Sequence, residues 1–296
     1  MKISSSKTVL ARWQIIISMV AFGTISIFVK GISLPSSELS LYRAVIACAV
    51  LLCYLIVTGR LRKLATLRSK LPVLFLSGAA MGFNWILLFT AYQYTTVALS
   101  TLAYYFAPTL IIAGSIVFFR ERLTMKQILC FVASSAGLVL IIGVSGGGSS
   151  DLIGLLFGLG AALLYSVVVL LNKKAGDVDG ITRTWVQFAS AVLVLTPYVA
   201  RTGGFHLTKL DTAGWGNLLI LGVVHTGIIY VLYFSSLSHL DGEQSAILSY
   251  IDPAVSVLVS VFFLHESITA LQLLGGAMII VFAMLNEIRL PGRGKS

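Results

Sequence analysis

Long apolar runs, separated by short polar, glycine or proline breaks, occupy almost the whole chain. The runs are continuously apolar rather than alternating, which is typical of membrane-spanning helices and not of β-barrel strands. A helix needs about 20 residues to cross the hydrocarbon core. The pattern therefore predicts ten spans, at the approximate limits 12–30, 38–58, 71–92, 98–119, 125–144, 152–172, 182–200, 214–236, 243–264 and 268–288. The predicted fold class is an all-α integral membrane protein with ten transmembrane helices.

The breaks between spans have recognisable causes. Residues 34–37, Leu-Pro-Ser-Ser, separate the first two spans. Pro72 falls in the first turn of the third span, where a missing N–H costs nothing. Residues 146–150, Gly-Gly-Gly-Ser-Ser, predict a flexible link between two halves of the chain.

The second half repeats part of the first at a constant offset of 145 residues. The residues that recur are Tyr105, Pro108, Ser115, Phe118, Glu121, Thr124 and Gln127, matched by Tyr250, Pro253, Ser260, Phe263, Glu266, Thr269 and Gln272. Because each half holds five spans, an odd number, the second copy must enter the membrane from the opposite side. We therefore expect two inverted five-helix repeats, residues 1–145 and 151–296, an organisation that many secondary transporters share.

Composition and charge agree with a membrane protein. The 296 residues are 57% hydrophobic and 11% charged, whereas soluble domains carry about 25% charged residues. The net charge of +10 comes from basic residues between spans, so no nucleic acid is expected as a partner. Cys48, Cys53 and Cys130 all lie in spans without metal-ligand spacing, and neither a metal nor another cofactor is predicted.

The distribution of lysine and arginine predicts the orientation. With a cytoplasmic N-terminus, the outer segments keep only Lys30, Arg201 and Lys209, and the inner segments collect the other basic residues between spans. The prediction is a multi-pass protein of the cytoplasmic (inner) membrane with both termini in the cytoplasm and a retained first span.

Several motifs carry a family resemblance: residues 119–124 (Phe-Arg-Glu-Arg-Leu-Thr), 264–269 (Leu-His-Glu-Ser-Ile-Thr), 41–43 (Leu-Tyr-Arg), 89–92 (Phe-Thr-Ala-Tyr) and 234–237 (Phe-Ser-Ser-Leu). With them the chain resembles the drug/metabolite transporter superfamily, specifically its EamA-type ten-helix exporters. The resemblance implies a central cavity lined mainly by spans one, three, four, six, eight and nine. It also implies export or exchange of small metabolites, often amino acids. Arg120 and His265 stand where the family commonly has glycine, which we expect to affect a helix end rather than the cavity.

Asp252 is the sharpest candidate for a functional residue, because a carboxylate in mid-span is costly and usually faces a cavity or a partner. Ser245, Ser249, Asp252 and Ser256 are spaced i, i+4, i+7 and i+11 and therefore share one helical face. Asp252 is predicted to bind a substrate amine or a proton. The alternative is a structural residue that caps or kinks the helix and bonds neighbouring hydroxyls.

Polar and aromatic side chains at membrane depth suit a pocket for an aromatic or cationic metabolite. The predicted substrate-binding residues are Asn84, Trp85, Tyr104, Tyr105, Tyr165, His225, Tyr230, Ser249, Tyr250 and Asp252. Their alternative is an aromatic belt at the membrane interface or ordinary helix packing.

Other residues are predicted to act in gating or structure. Arg43 is either a cation for a substrate carboxylate or gate, or a structural arginine near the outer end. Pro108 and Pro253 would place a kink at the same point of both copies. Glu121 and Glu266 are expected to be helix-end anchors rather than substrate ligands.

Three functions compete. A transporter fits the duplication. An integral-membrane enzyme would need clustered acids or histidines at one face, and a channel would need rings of like charge or a filter built by symmetry between subunits; neither is visible. We therefore expect a non-enzymatic secondary transporter of a small metabolite, amino acids first and aromatic ones among them. Cationic drugs are the alternative, followed by a membrane transferase activity. The expected partners are the substrate, the lipid bilayer and a proton or counter-substrate, and the oligomeric state is left open.

Overall fold

The computed structural model describes residues 5–121, 123–144, 148–237 and 239–288. All regular secondary structure in these ranges is helical, and turns and loops separate the helices. The α-helices are α1 (Ser5–Gly23), α2 (Ile25–Lys30), α3 (Ser36–Val57), α4 (Arg62–Ala65), α5 (Leu71–Tyr94), α6 (Val97–Tyr104), α7 (Ala107–Phe119), α8 (Met125–Val144), α9 (Gly148–Ala175), α10 (Gly180–Thr202), α11 (Thr212–Leu219), α12 (Ile229–Leu237), α13 (Gly242–Ser249), α14 (Ile251–Leu258) and α15 (Ala270–Glu287). Two π-helical segments, Ile220–Ile228 and Val259–Phe263, continue α11 into α12 and extend α14.

In the described ranges, nine helical stretches are long and apolar enough to cross a membrane. They are Lys7–Lys30, Ser36–Val57, Arg68–Tyr94, Val97–Phe119, Met125–Gly143, Ser149–Ala175, Thr212–Leu237, Gln244–Phe263 and Ala270–Glu287. These confirm the predicted spans one to six and eight to ten. Predicted span seven coincides with α10, a helix of 23 residues that is less apolar because it carries buried polar side chains such as Thr184, Gln187 and Ser190.

α10 nevertheless lies along the whole of α3. Its capping residue Asp179 accepts a hydrogen bond of 2.8 Å from Lys63, which follows the end of α3. Partial burial raises the pKa of Asp179, but hydrogen bonds from Lys63 and Thr182 outweigh burial and hold the pKa below its ordinary value. Beyond the other end of α10, the His206 N–H donates to Glu38, at the start of α3, over 2.6 Å. The two ends of α10 thus meet opposite ends of α3, which favours the prediction of ten crossings.

Helix contacts occur in pairs that an exchange of the two halves would relate. α5 packs against α9, and α12 packs against α1; α6 and α7 also pack against α9, and α13 and α14 against α1. Two helices pack directly against their own counterparts in the other half: α8 against α15, and α3 against α10. This pattern is what a pseudo-twofold axis between the halves would produce. It supports the prediction of inverted repeats.

Capping bonds repeat at the same offset. The Thr124 N–H donates to Gln127 Oε1 at 2.9 Å, and the Thr269 N–H donates to Gln272 Oε1 at the same distance. Each glutamine N–H donates back to its threonine hydroxyl, so both copies begin their last span with a capping box. The recurrence of threonine and glutamine in the sequence therefore has a structural cause.

Spans four and nine are both broken in the middle. α6 ends at Tyr104 and α7 begins at Ala107, while α13 ends at Ser249 and α14 begins at Ile251. Pro108 and Pro253 lie in the first turn of the second piece, where a helix tolerates the missing donor. The predicted kink is therefore present in both copies, whereas its role in gating stays a prediction.

Both broken spans also end in the same way. Arg120 has φ 54° and His265 has φ 53°, the left-handed conformation that terminates a helix and that glycine adopts at little cost. These are the two positions where the resemblance leads one to expect glycine. As expected, the departure affects helix ends.

The link between the halves is shorter than predicted. Gly148, Ser149 and Ser150 form the first turn of α9 instead of a flexible segment, and Gly146 and Gly147 lie outside the described residues. The Ser150 hydroxyl donates to the Tyr94 carbonyl at 2.7 Å, which holds the start of α9 against the end of α5. Tertiary contact therefore orders residues whose composition favours a loop.

Glycines let the central helices approach closely, and a Cβ atom would meet a neighbouring helix or its capping residue at four of them: Gly78, Gly82, Gly154 and Gly158. A Cβ atom at Gly78 would meet the backbone of Gln187 and lie 2.7 Å from Ser190 Cβ, both on α10. At Gly143, in the last turn of α8, a Cβ atom would meet nothing within 4 Å.

We expect Gly78→Val to destabilise the protein by about 1–3 kcal/mol, because the added side chain forces α5 and α10 apart. The measurement is the midpoint of thermal unfolding in detergent. Gly143→Val is the matched control and should leave that midpoint unchanged. Equal midpoints for the two variants would contradict the close contact.

Candidate functional site

Five predicted binding residues, Tyr104, Tyr105, Tyr165, Tyr230 and Tyr250, lie at the middle of the bundle and are called here the tyrosine cluster. The Tyr104 ring lies 5.5 Å from Tyr165 and 6.0 Å from Tyr105, measured between centroids, and Tyr105 lies 6.3 Å from Tyr250. Each side chain keeps part of its surface accessible. Side chains from spans four, six, eight and nine thus surround one interior space.

Asp252 belongs to the same enclosure. It lies in the first turn of α14, where the helix dipole favours a carboxylate. The Tyr105 hydroxyl donates to Asp252 Oδ2 at 2.5 Å. Among the described residues no lysine, arginine or histidine forms an ion pair with this carboxylate. The predicted polar face of span nine is present, since Ser256 bonds Thr101 at 3.1 Å one turn further along.

Arg43 supplies the opposite charge from α3. Its side chain is only 3% exposed. The guanidinium lies 4.4 Å from the Trp85 ring centroid and 5.5 Å from that of Phe89, and Nε donates to the Thr226 hydroxyl at 2.7 Å. In the described part of the chain no carboxylate forms an ion pair with it.

Ring contacts connect Arg43 to the tyrosine cluster. Trp85, beside the guanidinium, lies 5.3 Å from Phe188, and Phe188 lies 5.4 Å from Tyr230, measured between ring centroids. Asp252 is bonded to another member of the cluster, Tyr105. A buried charge is normally paired, because desolvation without a partner is expensive. In this site the Arg43 guanidinium and the Asp252 carboxyl group each lack an ion-pair partner among the described residues.

The remaining predicted binding residues lie around this centre. Asn84 donates to the Ala161 carbonyl at 2.6 Å and holds α5 against α9. Trp85 lies beneath Arg43. His225 Nε2 lies 3.1 Å from the hydroxyl of Thr24, where span one is broken, and Ser249 donates to the Ser245 carbonyl at 2.8 Å.

The sequence prediction did not include three members of the site. Tyr92 packs against Phe89 with centroids 6.3 Å apart, Thr226 binds Arg43, and Phe22 packs against Tyr230 with centroids 5.2 Å apart. Tyr92 was placed at the end of a span, where a tyrosine suggests the membrane interface. The π-helical segment Ile220–Ile228 that carries Thr226 has no sequence signature, although such segments are frequent at functional sites. Within the described residues no group of His, Cys, Asp or Glu could hold a metal ion.

Spans four and nine are joined at one end of the site, called here the Glu266 end. Glu266 Oε2 accepts from the Val97 N–H at 2.7 Å and from the Ser260 hydroxyl at 2.6 Å, while Oε1 pairs with Lys30. The Ala98 N–H donates to the Ser260 hydroxyl at 3.2 Å. Glu266 is therefore an anchor between helices, as predicted, and its side chain is 12% exposed.

At the opposite end, called here the Glu121 end, the two spans are apart. Among the described residues no hydrogen bond joins α7 to α13. Glu121 pairs with Lys173 of α9 at 2.6 Å, and its side chain is 49% exposed. A cavity of about 550 Å³ lies there between spans four, five and ten. Hydrogen bonds thus join spans four and nine at the Glu266 end, whereas a cavity adjoins span four at the Glu121 end.

Comparison with known proteins identifies this architecture. The sequence model of the EamA-like transporter family matches the chain twice, at residues 10–143 and 152–287. An uncharacterized transporter of Bacillus subtilis (strain 168), YxxF, is 30% identical over 295 residues, covering 98% of this chain and 94% of its own. A probable terminal-alkyne amino-acid exporter of Streptantibioticus cattleyicolor is 26% identical over 290 residues, covering 96% and 95%.

A solved structure supports the fold. A protein crystal structure superposes with a TM-score of 0.64 at 19% identity and covers 95% of this chain and 96% of its own. At that identity the likeness concerns the fold alone. The two family matches cover most of the sequence, and the relatives match over nearly their full lengths. The chain is a membrane transporter and belongs to the EamA-like transporter family.

Proposed function

We propose that the protein moves small zwitterions, amino acids first among them, across the cytoplasmic membrane by alternating access. The observation that carries the proposal is that Arg43, which is buried, and Asp252, which is partly buried, both adjoin the aromatic residues of the site without an ion-pair partner among the described residues. An amino acid offers an ammonium group for Asp252 and a carboxylate for Arg43. Its binding would give both side chains an ion-pair partner at once and offset the free energy of their desolvation.

The tyrosine cluster favours an aromatic or otherwise apolar amino-acid side chain. Rings with polar tips present apolar faces to a ligand while their hydroxyls stay hydrogen-bonded. Tyr105 already uses its hydroxyl on Asp252, so its ring faces remain for packing. The relative from Streptantibioticus cattleyicolor, a probable terminal-alkyne amino-acid exporter, supports the same class of substrate.

The alternative is export of cationic amines. Asp252 surrounded by tyrosine rings would bind an ammonium group without further help. Arg43 disfavours this alternative, because an unpaired guanidinium in the same enclosure repels a cationic ligand and leaves its own charge without a partner. A transferase activity has less support, since the family and the relatives that match this chain are transporters.

Inverted repeats supply the mechanism. Two similar halves of opposite orientation can exchange conformations, which turns a cavity open at one membrane face into a cavity open at the other. With both termini in the cytoplasm, as the lysine and arginine pattern predicts, the Glu121 end, where the cavity of about 550 Å³ lies, would face the cytoplasm. Export or exchange, coupled to a proton or counter-substrate, fits this arrangement.

Three matched ligands test the proposal: L-phenylalanine, phenethylamine, which lacks the carboxylate, and 3-phenylpropionate, which lacks the amine. We expect L-phenylalanine to raise the thermal unfolding midpoint of the purified protein at concentrations about tenfold or more below those that either analogue requires. Each lost charge-assisted contact is worth about 1.5–3 kcal/mol. Unfolding in detergent, followed by intrinsic fluorescence, is the measurement.

The other outcomes are equally informative. Stabilisation by phenethylamine at or below the concentration needed for L-phenylalanine would favour the cationic-amine alternative. If none of the three ligands stabilises the protein, a wider set of amino acids is the next measurement. Failure of that set as well would overturn the zwitterion proposal.

A further inference from the structure

At the Glu266 end, helix α6 occupies a well-defined docking site. Glu266 and Ser260 receive the N–H groups of Val97 and Ala98. Ser256 bonds Thr101. Leu99 and Leu102, each 2% exposed, pack in one apolar cluster whose other members include Ile141, Ile142, Val257 and Ile268. The N-terminus of α6 thus meets a carboxylate and a hydroxyl, and its side chains meet an apolar surface.

The repeat offset locates the counterpart of this docking site. Ser256, Val257, Ser260, Glu266, Ile268, Ile141 and Ile142 correspond to Ile111, Ile112, Ser115, Glu121, Leu123, Asn286 and Glu287. All seven counterparts line the cavity of about 550 Å³ at the Glu121 end. The cavity therefore has the same construction as the α6 docking site but contains no helix.

The counterpart of α6 is α13, and its side chains suit the cavity. Ile247 corresponds to Leu102 and is 37% exposed, so it has apolar surface left to bury. Gln244 corresponds to Leu99. Leu99 packs in the same cluster as Ile141, and the counterpart of Ile141 is Asn286. The Asn286 side-chain oxygen is buried without a hydrogen-bond partner, and an amide donor from Gln244 would satisfy it. An apolar residue of the first copy is therefore replaced by a polar one both on α13, at Gln244, and in the cavity, at Asn286.

We propose that α13 docks in this cavity when the transporter closes its Glu121 end. Glu121 and Ser115 would then receive the N–H groups of Gly242 and Glu243, as Glu266 and Ser260 receive those of Val97 and Ala98. Glu121 would keep its pair with Lys173 of α9, the counterpart of the Glu266–Lys30 pair. A helix N-terminus carries a partial positive charge, so each glutamate stabilises the closed form of its own end. Glu121 and Glu266 are positioning residues with opposite effects on one equilibrium.

Disulfide trapping tests the proposal without a substrate, so its outcome is independent of the zwitterion proposal. The three native cysteines are first replaced by serine, and the pair Ile111→Cys and Ala246→Cys is then introduced. Position 111 corresponds to Ser256 and position 246 to Thr101, and the hydroxyls of Ser256 and Thr101 are 3.1 Å apart. We expect the 111–246 disulfide to form under mild oxidation even though α13 is undocked here. Thr101→Cys with Ser256→Cys is the matched pair for the Glu266 end.

The two glutamates should shift the trapping rates in opposite directions. Glu266→Gln is expected to raise the rate of the 111–246 disulfide and lower that of the 101–256 disulfide, each about tenfold, because a charge-assisted bond is replaced by a neutral one. Glu121→Gln should do the reverse. Glu38→Gln, which removes a carboxylate of the Glu266 end that binds His206 instead, should leave both rates unchanged.

A 111–246 disulfide that never forms, or forms at one rate in the parent, Glu266→Gln and Glu121→Gln proteins, would overturn the proposal. Pulsed electron paramagnetic resonance provides a second measurement if oxidation damages a variant. Spin labels at positions 111 and 246 should give a long distance and a short one, with the short one enriched by Glu266→Gln. One long distance in all variants would equally overturn the docking of α13.

Discussion

Asp252→Asn is expected to weaken the binding of L-phenylalanine about 10- to 100-fold and to reduce its transport accordingly. Asparagine keeps the shape of the side chain and can still bond the Tyr105 hydroxyl. The substitution removes only the negative charge that would pair with the ammonium group, a contact worth about 1.5–3 kcal/mol. Because Asp252 has no ion-pair partner among the described residues, the substitution takes no partner away from a described lysine, arginine or histidine. Counterflow in proteoliposomes and ligand-dependent stabilisation are the measurements.

Asp241→Asn is the matched control, since it makes the same change in the exposed residue just before span nine, whose side chain does not cap the helix. It should bind and transport like the parent protein. Full transport by Asp252→Asn between pH 5 and pH 8 would show that Asp252 is structural. The residue would then serve only to hold Tyr105 at the break of span four.

Arg43→Met is expected to weaken L-phenylalanine binding by a similar factor while leaving phenethylamine binding unchanged or stronger. Methionine preserves the length and the contact with Trp85 but cannot pair with a carboxylate. Loss of the guanidinium also removes a repulsion on the amine analogue. Arg43→Lys should not restore binding fully. A guanidinium can donate to Thr226 through Nε and still bind a carboxylate with two parallel hydrogen bonds, whereas an ammonium group cannot.

This crossed ligand dependence separates a binding role from a structural one. If Arg43 only holds α3 against the π-helical segment through Thr226, Arg43→Met should weaken both ligands equally and lower the unfolding midpoint of the free protein. Arg60→Met is the control just beyond the end of the same span, where the Arg60 side chain is 39% exposed and lies 3.9 Å from Asp179. It should change neither affinity.

Much of the fold could be read from residue patterns because the bilayer imposes it. Each span must be long, apolar and helical. The hydropathy pattern therefore predicts all nine spans that the structure confirms in its described ranges. It was least clear for α10, whose Gln187 and Ser190 are buried against other helices rather than facing lipid. The recurrence of Thr124 and Gln127 as Thr269 and Gln272 indicated the repeat, and both pairs make the same cap.

The candidate site was predictable only in part. Asp252 and the tyrosine cluster stood out because polar groups at membrane depth are rare. Arg43 had an ambiguous position near the end of a span, and Tyr92 was taken for part of a span end. Their roles depend on which residues of other spans face them, and periodicity within one helix carries no information about a neighbour.

The sequence by itself determined the apolar spans, the repeated segment and the residues at the two helix ends, because these follow from local chemistry and from the thickness of the hydrocarbon core. Only the tertiary structure decided that Arg43 adjoins Trp85, that Asp252 is bonded to Tyr105, and that neither has an ion-pair partner among the described residues. It also decided that α6 is docked at Glu266 while the matching cavity at Glu121 holds no helix. The two copies have nearly the same local signals, so the choice between their docked and undocked forms rests on contacts with other helices.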